Sequence, residues 1–193
     1  MENIEQEVLS ESSCDISPVV RLWVLRLMVP LGGFHKGARK AAYLNEDAEE
    51  LMDACGLVSK ALASPNQKTV RAELRRLYQA AEIELGHAAL PKSLVTNVER
   101  LARLVGLSPA DCRILELAVM LFGDARFLAI VDSMGSLTTM QTIHLVSVLL
   151  ELPVNDVRTS LAGQSILSKS GLVTVERSGA NLFSGKLKLL STD

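Results

Sequence analysis

Aromatic residues make up only 4% of this 193-residue sequence, with a single Trp. The core therefore has to be built from Leu, Val, Ile, Ala and Met. Cysteine is equally scarce. Cys14, Cys55 and Cys112 are odd in number and far apart, which argues against a disulfide framework or a CxxC metal site. His35, His87 and His144 are also dispersed, none at HxxxH spacing or beside a cysteine, so neither metal nor nucleophilic catalysis has supporting spacing. No sign of charge dominates: 20 Lys and Arg oppose 22 Asp and Glu, a net charge of -2. That excludes a broadly basic nucleic-acid binder but not a local basic face. The longest apolar stretch, VVRLWVLRLMVPL from Val19 to Leu31, is broken by Arg21 and Arg26 and is too short for a bilayer. The acidic MENIEQEVLSESSCD ahead of it lacks the basic start of a signal peptide, so a cytoplasmic location is expected.

Apolar residues are present in quantity. At 48% hydrophobic and 22% charged, the chain can fold as one substantial domain or two small ones. Residues 1–16 are polar and read as a flexible terminus. Ser17-Pro18 opens a helix to about Val29: Ser can cap the first amides, and Pro suits the first turn because its missing N–H had no partner there. Pro30 and Gly32-Gly33 stop it. A second helix spans Glu46 to Cys55, and ASPNQK at 63–68 reads as a linker. Thr69 to Leu85 is strongly helical, with Val70, Leu74, Leu77 and Ala81 on one face. These pieces form an N-terminal helical region, 17–85, followed by a linker at 86–91 (GHAALP) and a second helical domain over 92–193.

That second domain is regularly punctuated. Ser93 to Val105 is amphipathic and closed by Gly106. Ser108-Pro109-Ala110-Asp111 opens the next helix as a capping box would. Its sequence, ADCRILELAVMLF, is apolar nearly all round and predicts a central position. Asp124 opens a shorter helix ending near Met134-Gly135, Thr138 or Thr139 opens MQTIHLVSVLLE, and Pro153 begins the short PVNDVRTSLA. From Gly171, GLVTVE and KLKLL are β-like and joined by RSGANLFSG, a hairpin with a Gly- and Ser-rich loop. LVGLSPADCRILELA (104–118) and LLELPVNDVRTSLAG (149–163) share Leu-x-x-Leu-x-x-x-Asp-x-Arg. A duplicated helix-turn-helix would explain the echo; the favoured explanation is the shared grammar of helix corners.

SGANLFSGKLKLL, residues 178–190, imitates a phosphate-binding loop. Three features oppose that. Five residues separate Gly179 from Gly185 where four are needed, Leu187 stands where a hydroxyl must bind Mg²⁺, and the alternation that follows is that of a strand rather than a helix. RFLAIVDSMG, 126–135, imitates a Walker B strand, but Ser133 replaces the catalytic acid and the segment precedes the pseudo-loop. A helix with Asp132 exposed near its C-terminal end is the better reading. LGGFHKGARK, 31–40, carries Lys36, Arg39 and Lys40 and is read as a helix-terminating loop with solvated cations rather than a phosphate site. No catalytic, cofactor or metal residue is expected, and the chain is not expected to be an enzyme.

The strongest constellation is architectural. A helix, a tight turn at Leu152-Pro153, a short helix and two strands with a Gly-rich loop follow in the order of a winged helix, with a helix-turn-helix at about 139–162 and a wing at about 171–190. The fold class expected is mostly α, a multi-helix domain ending in a winged-helix unit with a short C-terminal β-hairpin. Arg158, Lys169, Arg177, Lys186 and Lys188 face Glu151, Asp156, Glu176 and Asp193, five cations against four acids. DNA affinity leans on phosphate neutralisation, and this supply is thin. Protein recognition is favoured, with a DNA-binding regulator as the alternative. The candidate partner-binding residues are Asn155, Arg158 and Thr159 on the short helix and Arg177, Asn181 and Lys186 on the wing.

Long stretches of the chain resemble the N-terminal region of a group of bacterial AAA+ ATPases: LWVLRLMVPLGG, AELRRLYQAAE, LPKSLVTNVERLARLVGLSPADCRILELAVML, and HLVSVLLELPVNDVRTSLAGQSILSKSGLVTVERSGANLFSGKLKLL. The similarity covers most of the chain from about Pro18. It implies a non-catalytic recognition or regulatory module that binds a protein substrate, adaptor or partner, working with an AAA+ ATPase domain in cis or in trans. The sequence ends at Asp193, just after the wing, so no Walker motif or arginine finger carries over to any position in it.

Overall fold

In the computed structural model, residues 16–33, 46–57 and 67–190 are described. The acidic terminus with Cys14, the cations Lys36, Arg39 and Lys40 with His35, and residues 63–66 of the expected linker lie outside them. Among the described residues, ten helices and one small antiparallel sheet follow in chain order: α1 (Pro18–Met28), α2 (Glu46–Ala54), α3 (Gln67–Leu85), α4 (Lys92–Val105), α5 (Pro109–Gly123), α6 (Ala125–Asp132), α7 (Thr139–Leu150), α8 (Val154–Ser160), α9 (Ile166–Lys169), β1 (Val173–Val175), α10 (Phe183–Lys186) and β2 (Leu187–Leu189). The chain is thus mostly α, with a two-stranded sheet at its C-terminal end.

The helix ends follow local chemistry. Ser108 and Asp111 make a reciprocal capping box, the Ser108 hydroxyl accepting from the Asp111 amide at 3.1 Å and the Asp111 carboxylate from the Ser108 amide at 2.9 Å. Thr138 and Gln141 repeat the device at the start of α7. Asp124 caps α6 by accepting from the amides of Arg126 and Phe127. Gly106 ends α4 at φ 79°, and its N–H and that of Leu107 both donate to the Ala102 carbonyl, a turn that glycine enters without steric cost. One expectation is corrected: Ser17 occupies the N-cap of α1, but its side chain makes no capping bond there, and Pro18 alone marks that start.

The core is one cluster running from Val19 to Leu187. Nine of the eleven residues of α1 are buried. Fully burying an aliphatic side chain contributes about 1.5–3 kcal/mol, so α1 is a central element although it lies near the start of the chain. It packs on α3, α6 and α7, while α5 touches α4, α6, α7, α8 and β2. The only tryptophan, Trp23, stacks on Phe127 of α6 with ring centroids 5.9 Å apart. α5 is central as its all-round apolarity predicts, yet it also buries Glu116 and Asp111.

One polar cluster ties α1 to its neighbours. Arg26, 4% exposed, donates to both Glu82 carboxylate oxygens at 2.8 and 2.7 Å and to the Leu149 carbonyl at 2.6 Å. It also pairs with Glu151 at 2.6 Å. The end of α3 and the end of α7 are thereby fixed on α1. Burial alone would work against the Arg26 charge. The hydrogen bonds and charges of Glu82 and Glu151 outweigh it and raise its pKa.

β1 and β2 pair with Val173 opposite Leu189, Thr174 opposite Lys188 and Val175 opposite Leu187. The connection between them departs from the expected loose loop. Asn181 forms an isolated bridge with Leu137, Phe183 is fully buried, and α10 packs on α6 and α7. Lys186, expected on a strand, is the last residue of α10.

Candidate recognition surface

α8 follows α7 through a tight corner in which Glu151 takes φ 53° and the Leu152 amide donates to the Ser147 carbonyl. Its inner residues Val157 and Ser160 are buried, leaving Asn155, Asp156, Arg158 and Thr159 exposed. These side chains are organised mainly by their own helix. Arg158 donates to Asn155 Oδ1 at 3.4 Å, and the Thr159 hydroxyl donates to the Asn155 carbonyl at 2.9 Å.

Arg177, after β1, reaches back to the end of α8. It donates to the Leu161 carbonyl at 3.1 Å and lies against Gly163. Asn155, Arg158, Thr159 and Arg177 thus belong to α8 and its C-terminal corner.

The other two candidates have different positions. Asn181 is exposed, but its backbone pairs with Leu137 and its side chain accepts from the Leu182 amide at 2.8 Å. Lys186 is fully buried, its ammonium donating to the carbonyls of Glu176 at 2.7 Å and Ser178 at 3.1 Å. It holds the connection closed from within and offers no charge to a partner. The Gly-Lys pair that imitates a phosphate loop has a packing explanation. A Cβ on Gly185 would collide with the Asn181 side chain, and Lys186 is the internal donor.

Asp132 is also corrected. It ends α6 half-buried and accepts from the Ser184 amide at 2.9 Å and the Ser184 hydroxyl at 2.6 Å, so it is an anchor for α10 rather than a free surface acid. His144, within α7, is exposed.

Two features were not singled out from sequence. The first is apolar surface: Leu104 is 82% exposed, and Val105, Ile166 and Val154 are also exposed. The Ile166 side chain lies at Gly106, the residue that follows Leu104 and Val105 and ends α4. The signal was present in LARLVGL, where Leu104 and Val105 run past the buried stripe of α4.

The second is a cleft of about 550 Å³ whose lining includes Val19 and Trp23 of α1, Leu90, Lys92, Val95 and Glu99 at and along α4, and Arg113 and Glu116 of α5. Burial pushes the Glu116 carboxyl up, with Glu99 adding to the shift and Arg113 opposing it. Burial likewise raises the Cys112 thiol, reinforced by Glu116 and Asp111. Among the described residues no group of His, Cys, Asp and Glu is placed to hold a metal ion, and no helix is long and apolar enough to cross a membrane.

Set beside known proteins, the chain matches no family model, no curated protein and no solved structure.

Proposed function

We propose that the chain is a non-catalytic recognition module that binds a protein partner through the outer face of α8 and the exposed apolar residues Leu104, Val105 and Ile166. On this reading α7, α8 and the C-terminal strands act as a winged helix, with α8 as the helix that meets the partner. The observation that carries the choice of partner is the burial of Lys186. It removes a cation from the surface that a nucleic acid would touch, while Leu104, Val105 and Ile166 stay exposed. Protein interfaces use such mixed apolar and polar ground, whereas duplex DNA requires phosphate neutralisation. Arg158, Lys169, Arg177 and Lys188 remain, and Asp156 sits among the exposed residues of α8 itself.

The resemblance of the long helical stretches to N-terminal regions of AAA+ ATPases supports a place in such a system, with the ATPase domain supplied in cis or in trans and the partner a substrate or adaptor. Binding of duplex DNA is the second reading, favoured by Arg158 and Arg177 lying at one corner.

Gel shifts at low salt separate the two. Protein recognition predicts no retention of duplex DNA, and a photo-crosslinker placed at Thr159 is expected to capture a protein partner in cells, with capture lost in Ile166→Asp. Salt-dependent DNA retention that Arg158→Ala weakens would replace the first reading by the second. An ATPase frame or neighbouring gene carrying Walker motifs is expected beyond codon 193. A genomic context with no such gene removes the AAA+ assignment and leaves the surface to be judged by crosslinking alone.

A further inference from the structure

The cleft between α1, α4 and α5 combines an apolar floor with an acid that has little internal compensation. Glu116 is 6% exposed and lines the cleft. Its one ion pair is with Arg113 at 3.8 Å, beyond hydrogen-bonding distance, and no hydrogen bond to its carboxylate is made by any described residue. Its oxygens are not among the fully buried unpartnered atoms of the described residues, which are Arg21 Nε and Asp111 Oδ1, so the carboxylate opens onto the cleft. The cations at the site are more exposed than the acid: the Arg113 side chain is 52% exposed, and Lys92 is exposed at the first residue of α4. Glu99 adds a second carboxylate to the lining. Leu90 and Val95 supply the more open apolar lining, and the buried Val19 and Trp23 close its floor, Trp23 being 2% exposed with its ring stacked on Phe127.

We infer that this cleft is a binding site for an amphipathic ammonium ion, its apolar body against Leu90 and Val95 over the floor formed by Val19 and Trp23, and its charged head on Glu116. An ammonium brings the donors this open carboxylate can accept, three N–H groups on a compact charge. Glu99 provides a second acceptor nearer the opening. A carboxylate or phosphate ligand would instead face the buried Glu116 charge, and a neutral alcohol would bring a single weaker donor. The site is formed by elements other than α8 and does not rest on the proposed recognition surface. The ammonium can belong to a free amine or to a lysine side chain of another protein, since both present the same head and an alkyl stem.

Trp23 is the only tryptophan and reports on the site directly. Its fluorescence is followed during titration with 2-phenylethylammonium, with 2-phenylethanol as the neutral counterpart and Nα-acetyl-lysine methylamide as the protein-like source. A saturable change is expected with at least one ammonium, at least tenfold weaker for the alcohol and for the Glu116→Gln protein. Thr96→Phe, which narrows the lining while keeping both acids, is expected to weaken binding as well. Tighter binding of the acetyl-lysine amide assigns the site to a protein lysine, and tighter binding of 2-phenylethylammonium to a small amine. Equal binding of ammonium and alcohol, unchanged binding by a folded Glu116→Gln protein, or no saturable response to either ammonium overturns the inference. If Glu116→Gln fails to fold, the ammonium-to-alcohol ratio in the unaltered protein decides.

Discussion

Asp132 and Ser184, 52 positions apart, are joined by two hydrogen bonds, from the Ser184 amide at 2.9 Å and its hydroxyl at 2.6 Å. The contact pins α10, and with it the connection between β1 and β2, to the end of α6. Bonds to a charged acceptor contribute about 1.5–3 kcal/mol each when the partner would otherwise go unpaired. Both residues are only half-buried, so water offsets part of the loss, and Asp132→Ala is expected to lower global stability by about 2 kcal/mol, measured by urea denaturation, and to speed hydrogen exchange at the Ser184 amide more than at amides of α5. Unchanged exchange at Ser184 contradicts the anchoring role.

Lys186 and Lys188 separate structural from surface charge within three residues. Lys186 serves two part-buried carbonyls, while Lys188 is exposed on β2. Lys186→Met keeps the stem but removes the donor from both acceptors, and an unpaired buried polar group costs about 1–3 kcal/mol, a cost that water reduces at these part-buried carbonyls. A clear loss of melting temperature is expected. Lys188→Met is expected to stay within about 0.5 kcal/mol of the unaltered protein, as surface substitutions usually do. Equal effects would contradict the distinction.

Helix punctuation was legible in the sequence because its causes are local. The capping pair Ser108 and Asp111, the cap Asp124 and the terminator Gly106 act within one turn of the chain, and they stand where sequence spacing puts them. The role of Lys186 was not legible, because its acceptors belong to a chain path that closes only after α10 docks on α6. A Lys between Gly185 and an alternating Leu187-Lys188-Leu189 reads as an exposed strand residue until Phe183 is known to be buried. Asp132 was misplaced for the same reason, its partner lying 52 positions away. Of the candidate surface, Asn155, Arg158 and Thr159 could be placed from the helix period alone, whereas the cleft at Glu116 needs three elements brought together.

Glu151 holds a left-handed backbone at φ 53° at the corner between α7 and α8. Left-handed conformation costs a non-glycine residue about 1 kcal/mol. Its carboxylate pairs with Arg26, but the side chain is 65% exposed, so solvent screens the pair. Arg26 also keeps Glu82 and the Leu149 carbonyl. Glu151→Gly is accordingly expected to leave stability unchanged or raise it by up to about 1 kcal/mol, while Glu151→Ala, which loses the pair and retains the strain, is expected to lower it. Differential scanning calorimetry of the two variants and the unaltered protein makes the comparison, and a Gly variant less stable than the unaltered protein would show that the ion pair outweighs the strain.

Glu82 and Glu116 give stability opposite dependences on pH. The hydrogen bond from Arg26 holds the Glu82 carboxyl below its ordinary value of 4.5, so its contribution is present above that value and disappears as pH falls through the lower, folded one. Burial raises the Glu116 carboxyl above 4.5, so the folded state binds that proton more tightly. Its contribution is complete below 4.5 and declines as pH rises through the folded value. Glu82→Gln is therefore expected to be less stable than the unaltered protein at pH 7, with the gap closing below pH 4.5. Glu116→Gln removes a carboxylate that is costly to bury once ionised, so it is expected to be the more stable protein at pH 7 and to lose that advantage in acid. Urea midpoints for the three proteins from pH 3 to 8 measure both effects. A Glu116→Gln protein that loses stability at pH 7 would mean that the Arg113 pair at 3.8 Å outweighs the cost of burying the carboxylate.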